Sequence, residues 1–141
     1  MNVFLDSSVL LAACGSTAGA SRAVVDAASG QGWSLLTSGY VLAEVEANLP
    51  ALPAGASDSW ALLRAKLDTV PDVLTFDWPA VFAPARDRPI LFTAAAWAEV
   101  LLTLDRRDFS DLLGTSFYGL AILKPGEFLQ RERAAGRLPS R

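Results

Sequence analysis

The chain opens Met1-Asn2-Val3-Phe4-Leu5-Asp6-Ser7-Ser8. Its first run is short, apolar and free of polar alternation, and it ends abruptly on an acid. Such a run reads as a strand buried on both faces, the kind found inside parallel sheets. A second run of the same kind, Val100-Leu101-Leu102-Thr103-Leu104, ends on Asp105. The fold therefore rests on whether helices alternate with these strands.

They do. Residues 7–13 and 20–29 read as helices, the second closed by Gly30-Gln31-Gly32. Residues 33–37 read as a second strand. Ser38 is an N-cap for a helix that runs to Leu49 and stops at Pro50. Asp58 opens an amphipathic helix carrying Leu62, Leu63, Leu67 and Val70, ended by Pro71. Residues 73–76 read as a third strand, and 77–86 as irregular. Asp87-Arg88-Pro89 starts an Ala-rich helix to about Ala98. Residues 100–104 are the fourth strand, 106–113 a short helix, and 120–123 the fifth strand. Pro125-Gly126-Glu127 leads into a last helix. This order predicts an α/β fold: one three-layer domain, a central parallel sheet of about five strands flanked by helices. The domain spans residues 1–130, followed by an Arg-rich tail over 131–141.

In parallel α/β folds, ligands sit beyond the strand C-ends. Asp6 and Asp105 fall at such ends. Helices begin on that same edge, which brings Glu44 and Asp87 toward it. Four acids on one edge make a divalent-cation site and point to phosphodiester hydrolysis. Singly, each has a plainer reading. Asp6 and Asp87 also serve as helix caps, and Asp105 as a turn residue. Glu44 and Glu46 flank the apolar stripe of Val41, Leu42, Val45 and Leu49 on opposite sides, and periodicity does not choose between them.

Composition narrows the chemistry. The 141 residues suffice for one domain with a core, and 52% are hydrophobic, too many for a disordered chain. No apolar run is long enough for a membrane span, and the N-terminus does not read as a signal peptide. One cysteine, Cys14, fits a reducing compartment, and we expect a cytoplasmic protein. There is no histidine, which removes the usual general base and zinc ligand. Hydrolysis must then rest on carboxylates, hydroxyls and hard cations such as Mg²⁺ or Mn²⁺. The net charge of -3 is not that of a typical nucleic-acid binder. However, Arg86, Arg88, Arg106 and Arg107 flank two of the acids. They would hold a substrate backbone, although a solvated charge face explains them equally well.

The ordered set Val-Phe-Leu-Asp6-Ser-Ser, Val-Leu-Ala-Glu44-Val, Arg-Asp87-Arg-Pro-Ile-Leu and Leu-Leu-Thr-Leu-Asp105-Arg-Arg-Asp108-Phe109 resembles a PIN-domain protein. The close Ala121-Ile122-Leu123-Lys124-Pro125-Gly126-Glu127-Phe128-Leu129 is similar to that family's last strand and helix, so the resemblance spans residues 2–129. Each motif is short and degenerate, whereas the ordered set is specific. The resemblance implies a Mg²⁺- or Mn²⁺-dependent ribonuclease, often the VapC-type toxin of a toxin–antitoxin pair. It implies catalysis and metal ligation through Asp6, Glu44, Asp87 and Asp105, and so chooses Glu44 over Glu46. Asp108 matches a further, less constant acid, and Ser7 and Thr103 match polar positions that steady the metal. In-line attack leaving a 5′-phosphate and a 3′-hydroxyl, a homodimer and a bound antitoxin are implied in the same way.

Two other classes compete. One is a catalytically inactive PIN-like module that binds protein or RNA. The other is a phosphoryl-transfer domain using Asp6 as acceptor. A receiver domain would pair acids near its first strand, and a dehalogenase-like phosphatase would need Asp-x-Asp where this chain has Asp6-Ser7-Ser8. Trp33, Trp60, Trp78 and Trp97 read mostly as core, with one or two available for a dimer or antitoxin face.

Overall fold

Asn2–Leu5 forms the central strand β1, with Val3, Phe4 and Leu5 fully buried, as an uninterrupted apolar run requires. The computed structural model describes residues 1–74, 88–105, 109 and 112–139. Strand β2 (Ser34–Ser38) pairs parallel to β1 on one side, and β4 (Val100–Leu102) on the other. Beyond them lie β3 (Asp68–Val70) next to β2 and β6 (Leu120–Leu123) next to β4, both parallel. The last edge strand, β5 (Thr115–Phe117), is antiparallel to β6. The sheet order is β3-β2-β1-β4-β6-β5.

Among the described residues, six α-helices flank the sheet: α1 (Ser7–Gly15), α2 (Ala20–Gln31), α3 (Gly39–Asn48), α4 (Ala56–Arg64), α5 (Arg88–Trp97) and α6 (Pro125–Ala134). Helix α1 packs on α2, α3 and α4, α2 also on α6, and α5 on β1 and β4. Among the described residues, no single helix is long and apolar enough to cross a membrane. Trp33, just before β2, meets Phe128 of α6 edge-on at 4.9 Å between ring centres. Trp33 and Trp60 are buried, Trp97 is exposed, and Trp78 lies outside the described residues.

The topology singles out one place. The chain steps from β1 to β2 to β3 in one direction, then crosses to β4 and β6 in the other. That reversal beside β1 is a topological switch point, where a crevice opens past the strand C-ends. Carried past the last paired residues, the register stands Ser38, Asp6 and Thr103 in one row at this edge. Asp6 N–H continues the ladder by donating to the Leu102 carbonyl at 3.0 Å. Each row member then turns its side chain to local work. Asp6 caps α1, and Ser38 caps α3 by accepting from Val41 N–H.

Several expectations are corrected. The helix expected from Asp58 to Val70 ends at Arg64. Lys66 N–H donates to the Leu63 carbonyl at 2.9 Å, tightening the last turn, and Asp68–Val70 leaves as β3. Leu67 and Val70 keep helical spacing because they pack on the domain; Leu62, also in the pattern, is 69% exposed. No strand forms at Val73 and Leu74, and the rest of that expected strand lies outside the described residues. Leu112, Leu113 and Gly114 form a turn rather than the end of a helix; residues 106–108, 110 and 111 lie outside the described set. Strand β5 was not expected. Its hairpin loop is Tyr118-Gly119, both at positive φ (49° and 84°), the combination that matches the twist of a two-residue hairpin.

Candidate functional site

Asp6 is 4% exposed, and both of its carboxylate oxygens are held. Oδ1 accepts from Ser7 N–H at 2.7 Å, the contact that caps α1, with Ser7 Oγ 3.4 Å away. Oδ2 accepts from Thr103 Oγ1 at 2.7 Å and Ser8 Oγ at 3.0 Å. Burial pushes the Asp6 carboxyl above its ordinary range. The hydrogen bonds from Thr103, Ser8 and Ser7 pull it down, and the charge of Asp105 pushes it further up. Two effects of opposite sign thus meet at one side chain: donors fix its orientation, while desolvation disfavours its charge.

Thr103, fully buried, links Asp6 to Asp105, which stands in the loop after β4 because that strand ends at Leu102 and not at Leu104 as expected. Its Oγ1 donates to Asp6 and accepts from Asp105 N–H at 3.1 Å. Ser8 makes a second bridge, because its Oγ also accepts from Leu104 N–H at 3.0 Å. The loop after β4 is therefore pinned to the start of α1 by two hydroxyls. Glu44 joins from α3, where its Oε2 accepts from Ser7 Oγ at 2.8 Å. Asn48, one turn on, donates its side-chain amide to the Glu44 carbonyl at 2.8 Å.

Asp6, Ser7, Ser8, Leu11, Glu44, Asn48 and Asp105 line one open cleft of about 490 Å³. Glu44 is the half-buried member of the Glu44/Glu46 pair and faces this cleft, while Glu46 is exposed. Arg88, the first residue of α5, is exposed and is not among the described residues that line it. Asp87, Asp108, Arg86, Arg106 and Arg107 lie outside the described residues. Ser8 and Asn48 line the cleft as well, although neither is a candidate from the sequence. Ser8 carried a faint signal as a hydroxyl two residues after a capping acid. Nothing local marked Asn48.

Among the described residues, no group of three or more Asp, Glu, Cys or His side chains stands close enough to hold a metal ion. The donors present are nonetheless of the kind that Mg²⁺ or Mn²⁺ takes: carboxylate oxygens from three separate elements on one cleft. A cation there would also offset the burial that disfavours Asp6's charge.

No family model and no curated protein matches the sequence. Its fold is similar to that of a chain in the crystal structure of VapBC2 from Rickettsia felis bound to a DNA fragment from their promoter. That chain is 13% identical with a TM-score of 0.61, and the match covers 86% of this chain and 97% of that one. The likeness is one of fold: the described residues form an α/β domain with a mostly parallel six-stranded sheet, in keeping with the PIN-like fold expected from the sequence.

Proposed function

We propose that the chain is a Mg²⁺- or Mn²⁺-dependent endoribonuclease that hydrolyses RNA phosphodiester bonds, and the toxin of a toxin–antitoxin pair. The observation that carries this reading is the pinned carboxylate constellation. Asp6 is held by Thr103, Ser7 and Ser8, Asp105 is tied to it through Thr103, and Glu44 is reached through Ser7 on the same cleft. The likeness to VapBC2 supports the toxin–antitoxin part.

In this reading Asp6 and Asp105 are the innermost ligands, and Glu44 and Asp87 complete the set. When bound, a divalent cation lowers the pKa of its water and steadies charge on the phosphate, which is how a chain without histidine could hydrolyse RNA near neutral pH. The protein's part is orientation. Thr103 and Ser8 fix Asp6, and Ser7 holds Glu44 toward it. Asp108 is an outer acid, and Arg86, Arg88, Arg106 and Arg107 hold the RNA backbone. The partners are RNA, an antitoxin and a second copy of the chain, in the cytoplasm.

The competing reading is a PIN-like module that binds protein or RNA without cutting. A labelled-RNA assay in Mn²⁺, with and without EDTA, separates the two. Cleavage that EDTA abolishes, and that Asp6→Asn lacks, supports the nuclease. Intact RNA across varied substrates, with measurable binding, supports the module.

A further inference from the structure

The segment 71–73, between β3 and α5, touches two helices in turn. The Pro71 carbonyl accepts from Trp97 Nε1 at 3.2 Å, and Val73 N–H donates to Thr93 Oγ1 at 2.8 Å; both partners are on α5. Between them, Asp72 turns the other way. Its carboxylate accepts from Tyr40 N–H at the start of α3, with oxygens at 3.3 and 3.2 Å. Asp72 Oδ2 also packs close to Gly39, where a Cβ would stand 3.4 Å from it, an ordinary contact. Ser38 caps the next amide, Val41 N–H, at 3.5 Å.

This geometry matters because of what α3 carries. Glu44 lies one turn beyond Tyr40, about 6 Å along the helix. A first turn left uncapped frays, because its N–H groups have no partner within the helix. Fraying there would loosen α3 just ahead of the residue that Ser7 holds at the cleft. A negative charge at this helix start is also favoured by the helix dipole. Thr93 is fully buried, so the α5 end of the segment has a rigid anchor.

We propose that Asp72 is a positioning residue. Held to α5 through its neighbours Pro71 and Val73, it fixes the start of α3 and thereby the place of Glu44 at the cleft. The proposal rests on the reading above only in so far as Glu44 serves a bound cation. Its direct content, that Asp72 orders the start of α3, stands apart from that reading.

The experiment has two arms on the intact chain. In the first, backbone hydrogen exchange is measured without metal for the parent, Asp72→Ala, Asp72→Asn and Asp58→Ala. Asp58 is the control, an exposed acid in the first turn of α4. Asp72→Ala should speed exchange at Tyr40 and through 40–44 by roughly fivefold or more, the loss expected for one charge-assisted cap. Residues 20–31 should stay as in the parent. Asp72→Asn, which keeps one acceptor, should recover much of the protection. In the second arm, Mn²⁺ affinity is titrated at a temperature where every variant is folded. Asp72→Ala should weaken it by about fivefold, Asp72→Asn should be intermediate, and Asp58→Ala should match the parent. Unchanged exchange in Asp72→Ala overturns the proposal. So does faster exchange with unaltered Mn²⁺ affinity, or an equal loss in Asp58→Ala. If the parent itself binds no Mn²⁺, the nuclease reading falls, and the exchange arm alone decides for or against Asp72.

Discussion

Ser7 Oγ donates to Glu44 Oε2 at 2.8 Å, joining the first turn of α1 to the middle of α3 across 37 residues of sequence. Ser7 also gives its backbone N–H to Asp6, so one residue orients two of the carboxylates on the cleft. Removing its hydroxyl should leave the cap and release Glu44. We expect Ser7→Ala to cost about 1.5–3 kcal/mol of stability, the usual net worth of one hydrogen bond to a charged group. Mn²⁺-dependent RNA cleavage should fall more than that loss of fold explains. Chemical denaturation and a cleavage assay on the same preparation check this. Equal activity in Ser7→Ala would show that Glu44 needs no holding.

Thr103 makes a different demand, because it is fully buried and its one hydroxyl serves two partners. Thr103→Val keeps the shape but strips a donor from Asp6 and an acceptor from Asp105 N–H. Leaving a buried carboxylate short of a donor is costly, and we expect a loss of about 2–3 kcal/mol. Thr103→Ser, which keeps the hydroxyl, should lose less than half of that. Denaturant midpoints of the three proteins give the answer, and a Val variant as stable as the Ser variant would contradict it.

Thr37 is the opposite case. It is fully buried in β2, and its Oγ1 has no hydrogen-bond partner among the described residues. A hydroxyl buried in this way opposes folding. Thr37→Val should therefore raise stability by about 1 kcal/mol, or roughly 3 °C in Tm for a domain of this size. A lowered Tm would show that the hydroxyl is bonded in solution.

These residues also show what the sequence could and could not convey. Strands β1 and β4 were legible because burial on both faces writes an unbroken apolar run. Strand β3 was not. Asp68-Thr69-Val70 is short and mostly exposed, and Leu67 and Val70 continue the spacing of the helix before it. Strand β5 was hidden by Tyr118, which occupies a positive-φ turn position where Asn or Gly is the usual signal. At the cleft, Asp6 and Asp105 followed from strand ends. Glu44 and Glu46 were tied by periodicity, and what distinguishes them spatially is a hydroxyl on another helix. The role of Ser8 depends on Leu104 N–H, 96 residues away, and no local pattern carries that.

The charge state of Asp6 gives a prediction whose sign can be worked out. Burial raises its carboxyl above the ordinary value of 3.8, against the pull of Thr103, Ser8 and Ser7, with Asp105 adding to the rise. A carboxyl raised in the folded state binds its proton more tightly there than in the unfolded chain. Its contribution is therefore favourable below the unfolded value and is lost as pH rises through the folded one. Without metal, the parent should lose stability relative to Asp6→Asn as pH climbs from about 4 toward 7. A bound cation favours the ionised form, so the Tm gain from Mn²⁺ should grow over the same range and shrink in Asp6→Asn. Thermal melts of both proteins at several pH values, with EDTA or with Mn²⁺, test both halves. If the two proteins keep a constant Tm difference across the range in EDTA, burial does not raise the Asp6 carboxyl. If Mn²⁺ stabilises Asp6→Asn as much as the parent at pH 7, the cation binds elsewhere and the cleft is not its site.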